Sequence, residues 1–428
     1  MLDHVQVSTL PNGARIITSP QPDAESVALG IWVAVGGRHE DPSMAGASHF
    51  IEHMLFKGTR RRTAKQISQA IEGRGGYLNA YTQEDGTCYY VRLPHEYLAE
   101  AFDVLADMYC EPALAPADID RERGVIVEEL RMCRDQPQHV VQEQLMDGLW
   151  PGHPLGRPLV GTEQTLRSMT RNDLERYRLR FYQPANTIFA LAGRLDHAAC
   201  VALVKEGIGR RERGRRHPFR KVAASARQGR FRLGRRDIEQ VHAAIGFRCF
   251  GRHDDRRHAL RILNSILGEN MSSRLFQIVR EKHGLAYAVQ SSFQFFDETG
   301  GMVISAGLDR ARAADALRLI AREVARIREK PVTRDEFRRA RDYIDGQFRL
   351  GLEGTSSQMQ WIGETLSNYG RFIPPKEAIE KLRAVTIDQI RSVAADVFNP
   401  RRLTLSLVVP EKEQTDEKGW FSTLAAVG

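Results

Sequence analysis

Two copies of one pattern, 216 residues apart, constrain this chain more than any other feature. Thr170-Arg-Asn-Asp-Leu174, followed by Phe181-Tyr182-Gln183-Pro184, recurs as Thr386-Ile-Asp-Gln-Ile390, followed by Val397-Phe398-Asn399-Pro400. Each copy reads as a Thr N-cap, an amphipathic helix, an aromatic and a Pro stop. A strand comes next, Thr187–Ala192 in the first copy and Leu403–Val409 in the second. The openings of the copies also match. Strands over Val27–Val35 and His242–Phe247 lead into helices over 47–56 and 64–74 in one copy, and over 258–267 and 272–282 in the other. Strand pairs follow, 76–81 with 87–93 and 287–295 with 301–308, and then long helices near 97–110 and 311–329. The expected fold is α+β: two homologous α/β units, each an antiparallel-rich sheet with helices packed on one face. Drawn along the chain, the units are 1–206 and 223–428, joined by a Gly/Arg/Pro-rich linker over 207–222.

The linker holds the densest charge run, Arg210-Arg211-Glu212-Arg213-Gly214-Arg215-Arg216, in a chain of net charge +8. The run has no interleaved aromatics and the remaining basic residues are dispersed, so it reads as a solvated connector and no nucleic-acid partner is expected. The five cysteines, at 88, 110, 133, 200 and 249, are far apart and form no CxxC pair. That excludes a disulfide framework and a thiolate-built metal site, and fits a reducing compartment. Met1-Leu2-Asp3-His4 shows no basic-then-apolar leader, and no stretch is long and apolar enough to span a bilayer. A cytoplasmic protein without a membrane partner is expected.

The chemistry concentrates in Ser48-His49-Phe50-Ile51-Glu52-His53-Met54-Leu55-Phe56. Apolar residues at 50, 51, 54 and 55 suit a helix lying on a core. His49 and His53, four apart, project from the same face and can share one Zn²⁺. Glu52 beside them can take a proton from an activated water. This H-x-x-E-H order is the reverse of the more common zinc-protease motif. A third ligand is required from another element. The helix around Asp118–Arg131 carries Glu122 and Glu129, seven apart and so on one face. Residue chemistry alone leaves Glu128, Glu129, His139 and His153 open for that place.

Taken together, His49–Thr59 (HFIEHMLFKGT), Gly76-Tyr-Leu-Asn79-Ala80-Tyr81-Thr82 and Glu122-Arg-Gly-Val-Ile-Val-Glu128-Glu129 closely resemble peptidase family M16, that of pitrilysin, insulysin and the mitochondrial processing peptidase β subunit. The likeness continues through Gly152-His-Pro-Leu-Gly156, Gly268 with Met271-Ser-Ser-Arg274-Leu275, and Arg280 to Tyr287. The resemblance implies His49, His53 and Glu129 as ligands of one zinc ion per chain, Glu52 as general base and Glu122 as a supporting acid. It implies a peptide substrate paired along the strand at Asn79 and Ala80, and held by Arg280 and Tyr287 from a second half without metal. The half-length members of the family assemble from two chains, which points to a homodimer that encloses peptides in a chamber. Two rivals stand beside this zinc endopeptidase: a non-catalytic partner subunit of the same fold, and a zinc hydrolase of small molecules.

Overall fold

The fold was read from a computed structural model that describes residues 2, 4–223, 231–412 and 416–426. Met1 and Asp3, part of the N-terminal stretch considered above, lie outside the described residues. The strands are β1 (Gln6–Thr9), β2 (Arg15–Pro20), β3 (Ser26–Val33), β4 (Tyr77–Thr82), β5 (Thr87–Pro94), β6 (Thr187–Gly193), β7 (Phe231–Arg236), β8 (Gln240–Phe250), β9 (Ala286–Phe295), β10 (Thr299–Asp309) and β11 (Leu403–Pro410). They form two sheets, ordered β1-β2-β6-β3-β5-β4 and β7-β11-β8-β10-β9.

The second order repeats the first from β2 onward, and the pairing senses agree. The β2/β6 and β7/β11 pairs are parallel, and the remaining pairs of these five-strand arrays are antiparallel. Strands β2 and β7 begin 216 residues apart, at Arg15 and Phe231, as do β6 and β11, at Thr187 and Leu403. The duplicated N-caps are formed as expected. Thr170 accepts from the Asp173 N–H, and Thr386 from the Gln389 N–H, each in a reciprocal capping box.

The helices that position the site are α1 (Ala47–Leu55), α2 (Ala64–Glu72), α3 (Leu98–Cys110), α4 (Pro116–Asp135) and α5 (Pro137–Leu149). In the first unit, α1 through α4 share one core with β3 and β5, built on Leu29, Ile31, Phe50, Ile51, Met54, Leu105 and Ile126. In the second unit the core includes Ile245, Leu260, Leu263, Ile304, Leu317 and Val393. Here the expected helix over 258–267 is α-helical only across Arg257–Asn264. It then winds on as a π-helical turn through Ser265–Glu269, with Gly268 off helical geometry. The expected helix over 272–282 is likewise π-helical across Phe276–Lys282.

The compact units do not follow the boundaries expected from sequence. One comprises the described residues of Met1–Leu130, Pro158–Arg220 and Phe348–Glu377. The other comprises those of Arg131–Arg157, Lys221–Gln347 and Ala378–Gly428. The change from one unit to the other at Arg220/Lys221 falls inside the expected linker. The two exchanged segments correct the simple division into 1–206 and 223–428, and their reason is burial. Strand β3 is apolar without alternation and buried on both faces, as strands are when both sides of a sheet are covered. Its second face is closed by the helix Thr355–Tyr369, whose Met359, Ile362 and Leu366 pack with Ile17, Trp32 and Ile188. Gly363 is required there, since a Cβ would stand 2.6 Å from the Trp32 ring. In the second unit α5 covers the equivalent face, where Val141, Leu145 and Leu149 pack against Ala244 and Val408. Each sheet thus has the expected helices on one face and a single helix from the other half of the chain on the opposite face.

No helix of the described residues is long and apolar enough to cross a membrane. None of the five cysteines, all among the described residues, is in a disulfide.

Candidate metal centre

Helix α1 is fixed at its start by backbone geometry and a buried acid. Gly46 precedes it at φ +94°, a conformation that disfavours side chains, and a Cβ there would meet the Val160 carbonyl at 2.4 Å. The buried Glu40 carboxylate accepts from Gly46 N and Ser48 N, both at 2.8 Å. It thereby satisfies helix-terminal donors and complements the positive end of the helix. Phe50, Ile51, Met54 and Leu55 are inserted into the core, which leaves His49, Glu52 and His53 on the half-buried opposite face.

Helix α4 begins at Pro116, a residue suited to the first helical turn, and places Glu122 and Glu129 against α1. Glu129 Oε1 lies 3.7 Å from His49 Nε2, and its Oε2 lies 3.6 Å from His53 Nε2. The donor atoms of His49, His53 and Glu129 fall within 4.8 Å of one another; among the described residues this is the only such His/Cys/Asp/Glu group. Of the candidates open in the sequence, Glu129 is therefore the one brought to the histidines, while its neighbour Glu128 is exposed. His153 instead closes its own loop, accepting from Leu155 N at 3.2 Å.

Glu122 is 3% exposed. Its Oε2 lies 3.2 Å from His53 Nδ1, and its Oε1 receives Lys57 Nζ at 2.7 Å. With a proton assigned to Nδ1 toward Glu122, Nε2 on the Glu129 side is the atom His53 would offer to a metal, as such a ligand requires. Lys57, in the turn just past the end of α1, balances a carboxylate whose burial alone would cost several kcal/mol. Nothing in the sequence marks Lys57 for this role, because a Lys at a helix end ordinarily extends into solvent and the buried Glu it meets lies 65 positions away.

Glu52 stands beside the histidines and accepts a hydrogen bond from Thr82 Oγ1 at 2.5 Å. Burial raises its pKa above the usual carboxylate range, with Thr82 and His53 opposing. Burial also lowers His49 to about 4, against the pull of Glu129, so the ring is neutral and its lone pair is available. For His53, burial acts downward but is outweighed by Glu129 and Glu122, and its pKa rises. The adjacent His53 and His49 imidazoles hold Glu129 below its ordinary value. Three carboxylates crowd two imidazoles with one ammonium to offset them, a charge balance that favours a bound cation. A donor set of two imidazoles and one carboxylate suits Zn²⁺ and leaves a position for water.

Strand β4 is the edge of the first sheet. Asn79 is exposed, and its Oδ1 accepts from the Ala80 N–H at 2.8 Å. Arg280 and Tyr287 lie in the second unit and are brought together there. The Arg280 guanidinium sits over the Tyr287 ring at 5.9 Å and over Phe276 at 4.8 Å, and the Tyr287 residue is 80% exposed.

A mixed α/β fold of two halves, with an inverted His/Glu zinc motif on one helix, defines a class of metallopeptidase. Residues 15–163 match the family model described as Insulinase (Peptidase family M16), and residues 168–344 match that described as Peptidase M16 inactive domain. The chain belongs to peptidase family M16. It is 38% identical over 397 residues to a protein of Mycobacterium leprae named as an uncharacterized zinc protease, covering 92% of this chain and 89% of the relative. A Bacillus subtilis protein of the same description is 32% identical, covering 94% of this chain and 97% of its own length. Among solved structures, a protease from Helicobacter pylori superposes with TM-score 0.87 at 19% identity, covering 96% of this chain and all of the other. A Pseudomonas fluorescens protein described as a peptidase M16 inactive domain gives TM-score 0.89 at 18% identity, with the same coverage.

Proposed function

We propose that this chain is a zinc-dependent endopeptidase that hydrolyses peptides or unfolded segments. The observation carrying the reading is the convergence of His49, His53 and Glu129 donor atoms, with Glu52 alongside. When bound, zinc supplies Lewis-acid polarisation and acidifies water. His49, His53 and Glu129 would hold the ion, and Glu122 with Lys57 would keep the His53 ring in register. Glu52, its basicity raised by burial, would accept the proton of the attacking water and deliver it to the leaving amine. The β4 edge at Asn79 and Ala80 would bind substrate main chain by strand addition, a mode largely indifferent to sequence. Arg280 and Tyr287 would bind peptide carbonyls from the second unit. A homodimer enclosing the substrate and a cytoplasmic setting belong to the same proposal; the latter rests on five cysteines that are widely spaced in the sequence and form no CxxC pair.

The test is metal analysis with a quenched-peptide assay on wild type and Glu52→Gln. The amide keeps the shape but cannot accept a proton. We expect about one zinc per chain in both proteins and a loss of turnover on the order of 10²–10⁴ in the variant. Turnover within a few-fold of wild type would remove Glu52 as base, and no peptide cleavage by zinc-loaded wild type would favour a non-catalytic subunit.

A further inference from the structure

The hydrogen bond from Thr82 to Glu52 joins two elements that meet only in the fold. Glu52 is on α1, and Thr82 is the last residue of the edge strand β4, 30 positions later. Side chains alternate along a strand, so Leu78, Ala80 and Thr82 share a face. Leu78 and Ala80 pack into the core that holds Phe50 and Ile51 of α1. Thr82 continues that face and meets the polar side of the same helix.

The hydroxyl is itself held in place. Thr82 pairs directly with Thr87 across the sheet, the two Oγ1 atoms lying 3.5 Å apart. Thr87 is fully buried and donates to the Val35 carbonyl at 2.8 Å. A β-branched side chain in a strand also has few rotamers open to it. Glu52, by contrast, has three side-chain torsions between backbone and carboxylate.

We propose that Thr82 is a positioning residue of the hydrolytic reaction: its hydroxyl sets the orientation of the Glu52 carboxylate relative to β4. The inference rests on the endopeptidase reading. On that reading β4 receives the substrate backbone, so one strand registers both the peptide and the base that acts on it. Losing the hydroxyl leaves strand and peptide pairing intact and releases the carboxylate to other rotamers. That is a loss of orientation, and it falls on kcat.

The test compares wild type, Thr82→Val, which is nearly isosteric without the hydroxyl, and Thr82→Ser, which restores it, with Glu52→Gln as reference. Thr82→Val should lower kcat by roughly 10- to 100-fold, with KM and zinc content at wild-type values. Thr82→Ser should recover most of the loss. A second readout needs no activity: melting of the zinc-free proteins in a double-mutant cycle. The melting shift caused by Thr82→Val should change when Glu52 is replaced by Ala, because the two groups are coupled. Wild-type kcat in Thr82→Val, equal impairment of the Ser and Val variants, a loss confined to KM, or an identical melting shift with and without Glu52 would each overturn the proposal. An inactive wild type with an intact melting coupling would instead count against the endopeptidase reading and leave the Thr82–Glu52 contact standing.

Discussion

Helix α1 and its counterpart Arg257–Asn264 occupy corresponding places in two sheets of the same order, yet they present different faces. In α1 the core-facing residues are Phe50, Ile51, Met54 and Leu55, and the other face is half-buried and ionisable. In the second unit Leu260, Ile262, Leu263, Ile266 and Leu267 are all buried, no H-x-x-E-H occurs, and the helix is distorted after Asn264. The first copy leaves a stripe of polar groups at the surface of its core, where neighbours can raise, lower or orient them. The second uses the same location for apolar packing. The two copies share the sheet order, and the ionisable stripe occurs in the first alone; the inactive-domain match, over residues 168–344, includes the counterpart helix of the second.

The largest expected effect breaks this contrast if it is mistaken. His53→Ala should abolish zinc retention, from about one ion per chain to below about 0.1, and peptide cleavage with it, while the folded state persists. Leu263→Ala, in a fully buried position of the counterpart helix, should do the reverse: keep the zinc and lose roughly 2–5 kcal/mol of stability to the cavity. Metal analysis and denaturant unfolding of the two variants settle it. Zinc retained by His53→Ala would dissolve the distinction between the copies.

The next effect sharpens the contrast within one helix. Glu129 approaches both imidazoles and Glu128 is exposed; helix neighbours point about 100° apart, so one position alone can serve the site. Glu129→Gln should weaken zinc binding by roughly 100-fold or more, beyond the 10- to 100-fold usual for outer partners. Glu128→Gln should leave it within about twofold, as expected of an exposed group. Competition with a chromophoric chelator measures both, and an equal loss would show that α4 is rotated relative to this description.

Much of this was legible in the sequence for definable reasons. The Thr170 and Thr386 caps are local, so their spacing predicts them. His49 and His53 need only helical periodicity. The choice of Glu129 among its rivals, which spacing left open, required α4 to be laid against α1, although the resemblance to the family implied it. The exchange of α5 and Thr355–Tyr369 was invisible, because an apolar helical face is the same whichever sheet it covers. One signal did point to it: the unalternating run in β3 demands cover on both faces. Strand β1 is short and mostly exposed and β7 carries basic residues; neither has the apolar pattern that identifies a strand.

The smallest expected effect concerns charge in the second unit. Arg274, within the sequence block that supported the family resemblance, is held by Glu336, with Arg274 Nε–Oε1 at 2.7 Å and Nη2–Oε2 at 3.0 Å. Glu336 also accepts from Thr333 N and Thr333 Oγ1, both at 2.9 Å, to cap the helix Arg334–Gly351. Burial alone would raise the Glu336 pKa, but Arg274 and Thr333 outweigh it and hold it down at about 2, against an ordinary 4.5. The folded-state pKa is depressed, so the pair's stabilisation is present above about pH 4.5 and is lost as pH falls toward 2. That shift corresponds to at most about 3–4 kcal/mol, and partial exposure to solvent reduces it to about 1–2 kcal/mol. Glu336→Gln isolates the ionic part, since Gln can complete the same capping box. The variant should be less stable than wild type by about 1–2 kcal/mol at pH 7, and the gap should shrink by more than half between pH 5 and pH 3. Zinc content and cleavage at neutral pH should not change, because this charge pair belongs to the unit without metal residues. Urea midpoints across that pH range provide the measurement. A gap that stayed constant with pH would mean that Glu336 acts through its cap alone and that Arg274 contributes no ionic stabilisation.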